Sequence, residues 1–227
     1  MKLEQHLFDY ELELLSSISD CWRNKPDHIV KEFQNWGDEF NIQFSIKLNK
    51  MPSTELTNVF HFTANGDYEK YGDRIPALNI YKDGYFLVCS AVNNEDHCTD
   101  IDFVVGKQYE MAIIQWRMRN LTYMYEIIVD GTHRLKMENT QPKSFPNVKL
   151  FASDPWTPSF SPSLGSLCNV KIEAFKTSGR HLSKQYRYIL LYVKFVIIHF
   201  QTAGLLEKTI LSRNSNIGAF CSVLSLP

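Results

Sequence analysis

Phe40-Asn-Ile-Gln-Phe-Ser-Ile-Lys-Leu48 alternates apolar and polar side chains without a break. A two-residue period sets Phe40, Ile42, Phe44, Ile46 and Leu48 on one face. Asn41, Gln43, Ser45 and Lys47 take the other, the pattern of a half-buried antiparallel strand. The same reading extends outward from this segment. Strands are predicted at Asn58–Thr63, Ala77–Tyr81, Tyr85–Val92, Thr99–Phe103, Gln108–Arg117, Thr122–Val129, Arg134–Glu138, Asn147–Ala152 and Leu167–Phe175. Met51-Pro-Ser-Thr reads as a turn, and Asp83-Gly84 and Asp130-Gly131 as hairpin turns. About ten short strands at a spacing of roughly 8–12 residues, with no helical pattern between them, predict an all-β fold. The expected architecture is a two-sheet antiparallel sandwich or jelly roll.

The flanks read differently. Leu3, Leu7, Tyr10, Leu14 and Ile18 recur at helical spacing, which predicts an amphipathic helix over residues 1–20 within an N-terminal extension, 1–27. His28–Trp36 fits either a short strand or a helical turn. The sandwich is expected to span 28–176. The C-terminal extension, 177–227, opens on the linker Thr177-Ser-Gly-Arg180; Gln185–Ile210 is apolar and basic without two-residue alternation, and Ser212–Pro227 is small and polar. The extension is read as a docking helix or as sequence not native to the domain. Its most apolar part, Tyr188–Phe200, contains Lys194 and His199. It falls short of the roughly 20 apolar residues that a membrane helix needs, so no span is expected.

The 227 residues carry a formal net charge of -1, so no whole-chain field draws nucleic acid. The acid-bearing start, Met1 to Glu13, does not read as a signal peptide. The chain is therefore expected to be cytosolic or a piece of a longer secreted protein. Five cysteines, Cys21, Cys89, Cys98, Cys168 and Cys221, include no Cys-x-x-Cys pair, which argues against a zinc ribbon. Cys89 and Cys98 flank a polar turn. They form a disulfide if their strands are neighbours in an oxidising compartment, and are separate thiols otherwise.

One resemblance covers roughly residues 28 to 176. It is carried by Phe44-Ser-Ile-Lys47, Val59-Phe-His-Phe-Thr63, Lys70-Tyr-Gly-Asp-Arg-Ile-Pro-Ala77 and Ser90-Ala-Val-Asn93. Tyr123-Met-Tyr-Glu-Ile127, Val129-Asp-Gly131, Glu138-Asn-Thr-Gln-Pro142 and Val148-Lys-Leu-Phe-Ala-Ser-Asp-Pro-Trp156 continue it. In order and spacing these segments resemble the laminin-G-like and concanavalin-A-like sandwich domains of animal extracellular proteins. The resemblance implies a non-catalytic module, extracellular or at the cell surface within a longer protein, that binds a protein or a glycan. In some such domains calcium takes part.

Four groups of residues are candidates for function. Asp67, Glu69 and Asp73 place hard oxygen ligands in one loop, suited to calcium; the competing reading is a structural Asp73–Arg74 pair. Trp156 with Asp154, Tyr68 and Tyr71 offers an aromatic surface and a carboxylate for a sugar or protein ligand; alternatively Trp156 caps the end of the core. Asn120-Leu-Thr122 is a glycosylation sequon on a predicted turn. Glycoside hydrolysis needs paired carboxylates. The nearest match to the Glu-x-Asp-x-x-Glu strand of glucanases is Asp100-Ile-Asp-Phe-Val-Val105. It ends in Val105 where an acid is needed, so a glycosidase is disfavoured. No nucleophile elbow or phosphate loop occurs, and no catalytic residue is expected.

Overall fold

The computed structural model describes residues 12–18 and 21–175, except 23, 69, 119 and 121. The residues 177–227 read as an extension, with Cys221, lie outside the described residues. Twelve strands are described: β1 (Leu12–Ile18), β2 (Ile29–Trp36), β3 (Glu39–Leu48), β4 (Leu56–Thr63), β5 (Ala77–Tyr81), β6 (Tyr85–Val92), β7 (Glu95–Asp102), β8 (Gln108–Arg117), β9 (Tyr123–Val129), β10 (Thr132–Asn139), β11 (Phe145–Phe151) and β12 (Gly165–Phe175). They form two antiparallel six-stranded sheets, ordered β1-β12-β3-β8-β9-β10 and β2-β11-β4-β5-β6-β7. The fold is an all-β jelly-roll sandwich. Among the described residues no helix is long and apolar enough to cross a membrane.

Alternation places the core. Phe40, Ile42, Phe44, Ile46 and Leu48 of β3 are all buried. They face Phe60 and Phe62 of β4, and Phe44 meets Phe60 edge to face at 5.3 Å between ring centroids. Trp36 of β2 packs on Phe33, Phe40 and Phe62. The ambiguous segment 28–36 is a strand over Ile29–Trp36, because β11 supplies its backbone partners from Phe151 opposite Ile29 to Phe145 opposite Trp36. Inside this apolar layer the Tyr125 hydroxyl and the Ser90 hydroxyl hydrogen-bond across the sheets at 2.7 Å. Burial raises the Tyr125 phenol well above its usual pKa.

Turn chemistry fixes register. Asp130 and Gly131 both take positive φ, 50° and 76°, the mirror-image turn that matches strand twist between β9 and β10. Asn93 and Asn94 do the same between β6 and β7 at 55° and 65°. That hairpin aligns Cys89 directly opposite Cys98, and the two are joined by a disulfide. A second disulfide links Cys21 to Cys168.

The helix predicted for residues 1–20 does not extend through its second half. Leu12–Ile18 is a strand that pairs with β12, from Leu12 opposite Phe175 to Ile18 opposite Val170. Leu12 and Leu14, and Ser16 and Ile18, also stand two apart in sequence, so the segment satisfies both periods. The edge of β12 supplies backbone partners that a short isolated helix would do without, and such helices are marginal in water. Residues 1–11 lie outside the described residues.

Truncating the centre of the core tests this packing. Phe60→Ala should cost about 3–5 kcal/mol, read as a lower denaturant midpoint at unchanged slope. Ser90→Ala should cost about 1–3 kcal/mol, because it leaves the buried Tyr125 hydroxyl unpaired.

Candidate functional site

The second sheet carries a lateral row of outward-facing residues: Ile29, Phe151, His61, Ala77, Cys89 and Cys98, one from each strand in register. Phe151, His61, Ala77 and Cys89 are nevertheless buried. The segments 64–76 and 152–160 fold back over this face and cover it. Val59 and Phe62 anchor them through backbone bonds, Ser153 N–H to the Val59 carbonyl and Ile75 N–H to the Phe62 carbonyl.

His61 joins the two segments. Its Nδ1 lies 2.8 Å from Asp154 Oδ2, and its Nε2 lies 2.7 Å from the Asp73 carbonyl oxygen. The imidazole and the Asp154 carboxylate are each only 1% exposed. Asp154 Oδ1 accepts the backbone N–H groups of Trp156 and Thr157, and its own N–H donates to Asn58 Oδ1. Asn58 reaches on to Asn79 at 2.8 Å. Ser153 donates to the Asn58 carbonyl and accepts from Asn24 and Phe160. A buried polar belt of this kind is stable only when its members are paired.

Two of the predicted calcium residues, Asp67 and Asp73, have protein partners. Asp73 is buried and its Oδ2 accepts the N–H groups of Tyr68 and Lys70, closing the 65–74 loop. Asp67 accepts from Arg74 Nε at 2.8 Å, and Arg74 Nη1 reaches Asp96 at 3.0 Å. The expected Asp73–Arg74 pair is therefore corrected: Arg74 turns toward Asp67 and Asp96, while Asp73 turns toward backbone amides. Glu69 lies outside the described residues. Ligand atoms of His61, Asp67 and Asp154 lie within 4.8 Å of one another, so the loop and the 153–157 turn meet at this point.

The aromatic candidates separate. Trp156 is 47% exposed. Its ring stands edge-on to His61 and Phe151, each at 5.7 Å. It leans on the outer face and is not a plug of the inter-sheet core. Asp154 is too buried to accept a hydrogen bond from an external sugar hydroxyl. Tyr68 is 71% exposed, with Lys70 Nζ 5.9 Å from its ring centre. Tyr71 packs on Phe145 at 5.4 Å, with Lys143 Nζ 4.7 Å from its ring centre. Asn120 is exposed between β8 and β9, its Oδ1 accepting from the Thr122 hydroxyl at 2.8 Å. Asp100 and Asp102 stand exposed on one face of the edge strand β7, and Val105 lies in the turn beyond it. Sequence reasoning missed the pairing of Arg74 with Asp67, that of Arg74 with Asp96, and the Cys21–Cys168 link. The two pairings are made only by tertiary contact, and the cysteines stand 147 residues apart.

No protein-family model matches the chain, and no characterised protein matches it in sequence. Among solved structures, a heptameric SAP-like pentraxin from Limulus polyphemus overlaps 67% of this chain and 73% of its own at 13% identity and a TM-score of 0.44. The receptor-binding domain of botulinum neurotoxin D overlaps 82% of this chain at 10% identity and a TM-score of 0.47, and the overlap spans about half of that domain, 48%. Trypanosoma rangeli sialidase overlaps 59% of this chain and 20% of its own at 12% identity and a TM-score of 0.41. At these values none of them assigns a ligand.

Breaking the histidine pair tests the belt. Asp154→Ala should destabilise by about 3–5 kcal/mol, since it strands a buried imidazole and two turn amides. Asp154→Asn should cost less: its Oδ1 keeps both amide bonds and its Nδ2–H can donate to Nδ1 while Nε2–H still donates to Asp73. Equal losses in urea unfolding would show that the pairing at Nδ1 does not hold the turn.

Proposed function

We propose that the chain is a non-catalytic recognition module, extracellular or at the cell surface, that binds a protein or glycan partner through the loops crossing the outer face of the second sheet. Trp156 carries this reading. A large ring left half open, on a turn whose backbone is held by a buried carboxylate, presents a contact surface at small entropic cost. Tyr68 adds a second exposed ring from the adjoining loop.

The chemistry of the face supports binding over catalysis. The carboxylates at the meeting of loop and turn, Asp67, Asp73 and Asp154, are engaged by Arg74, by backbone amides and by His61. A general acid or nucleophile needs a carboxylate that reaches its substrate. Two disulfides support an oxidising compartment, and the exposed Asn120 sequon is compatible with glycosylation there.

Screening the purified chain on a glycan array and against cell-surface proteins should identify a ligand. Trp156→Ala should then weaken binding at least tenfold, about 1.4 kcal/mol or more, while the unfolding midpoint moves little. Full binding by that variant would place the contact elsewhere. Because Asp67 and Asp73 already have partners, millimolar calcium should leave the melting temperature unchanged. A rise of several degrees, reversed by chelator, would restore a calcium site at this loop.

A further inference from the structure

The cover over the outer face of the second sheet fades toward one corner. Next to the row of His61 and Cys89, Asn58, Asn79, Leu87 and Asp100 stand in register across β4 to β7. Beyond them come Leu56, Tyr81, Tyr85 and Asp102. Asn58 and Asn79 are buried, Leu56, Tyr81, Tyr85 and Leu87 are half-buried, and Asp100 and Asp102 are exposed. The rings of Tyr81 and Tyr85 stack across β5 and β6, with centroids 4.7 Å apart and planes inclined by 23°. A stacked aromatic pair thus stands at the margin of the sheet, with the carboxylates of the edge strand β7 beside it.

The β5–β6 turn adds apolar surface to this corner. Met51, 41% exposed, reaches the turn, since a Cβ on Gly84 would lie 3.7 Å from its Cε. The Gly84 carbonyl accepts from the Phe103 N–H at 3.1 Å, which brings Val104, 65% exposed, alongside. The charge left over is mostly negative. Lys82 is held by Glu55, and Lys107 by Asp130. Asp83, Asp100 and Asp102 make no ion pair among the described residues, against a single such cation at the turn, Lys50 beside Met51. Partial desolvation and the charges of Asp100, Asp83 and Glu55 hold the Tyr85 phenol above its usual pKa, so their field falls on the ring pair.

We propose that this corner docks a basic segment of a protein partner and seats one arginine against the Tyr81–Tyr85 pair. The guanidinium lies on the tyrosine rings and donates to the Asp100 carboxylate, while Asp83 and Asp102 attract it from farther off. Apolar residues flanking the arginine cover Leu56, Leu87 and Met51. A guanidinium suits the place better than an ammonium, because it stacks on aromatic faces and pairs with a carboxylate through a planar fork. The same carboxylates repel the anionic headgroups of a membrane. A second copy of the chain, docked by this corner through a two-fold axis, would set like charges against one another. The inference rests on the recognition reading, to which it adds the charge of the partner, but not on Trp156.

The test titrates the ¹⁵N-labelled full chain with the peptide acetyl-Leu-Arg-Leu-amide and with its citrulline analogue, in which a neutral urea replaces the guanidinium. The backbone amide signals of Tyr81, Tyr85, Leu87 and Asp100 should shift saturably with the arginine peptide, and less so as salt is raised. The citrulline peptide should bind about tenfold more weakly, and Asp100→Asn, a change at an exposed position, should weaken the arginine peptide about fivefold. Tyr85→Thr, which keeps strand propensity, should weaken it by a similar factor; if that variant does not fold, the Asp100→Asn and citrulline comparisons decide. No saturable shift, equal binding of the citrulline peptide, or full binding by Asp100→Asn would overturn the proposal. So would movement of the same signals on dilution of the chain alone, the mark of self-association, or on addition of phosphatidylserine vesicles in place of the peptide. Saturable shifts confined to the 153–157 turn around Trp156 would overturn the corner while leaving the outer-face reading intact.

Discussion

A buried imidazole with an acceptor at each nitrogen organises the outer face of the second sheet. His61 lies between the Asp154 carboxylate and the Asp73 carbonyl, and each of those residues closes its own loop through backbone amides. Two segments distant in sequence thus share one hydrogen-bonded centre. Were the pair absent, the polar groups of Asn58, Ser153 and Asp154 would have no reason to leave water.

This arrangement turns the usual logic of a sandwich outward. Antiparallel sheets normally bury one face and wet the other. Here the inner face is packed with aromatics such as Phe44, Phe60 and Phe62, and the middle of one sheet's outer face, at Phe151, His61, Ala77 and Cys89, is buried as well, beneath its own loops. The apolar members of that outer row, Phe151, Ala77 and Cys89, favour the cover, and the polar belt fixes where it lies. The exposed rings of Tyr68 and Trp156 are the outermost layer of the same construction.

Strand positions were largely legible because core-facing alternation is written locally. The predicted Ala77–Tyr81, Tyr85–Val92 and Gln108–Arg117 coincide with β5, β6 and β8, and β3 begins one residue before the predicted alternation at Phe40. Leu12–Ile18 was not legible, because its side chains fit a helix as well as a strand and the edge of β12 decides between them. The roles of the acidic residues were hidden for a related reason. Asp67, Asp73 and Asp154 look alike as sequence, yet one meets a guanidinium, one meets backbone amides and one meets an imidazole. Such assignments depend on which loop lies over which strand, information that no local pattern contains.

The placement of the Cys21–Cys168 bridge also governs how tension passes through the molecule. The bridge lies just inside the β1–β12 pair, whose far end aligns Leu12 with Phe175. A pull applied outside these two strands would peel them apart one residue pair at a time and then stop at the covalent link. The load would bypass the enclosed chain of β2 through β11, so the outer-face loops would keep their shape under traction that had already opened the edge of the first sheet.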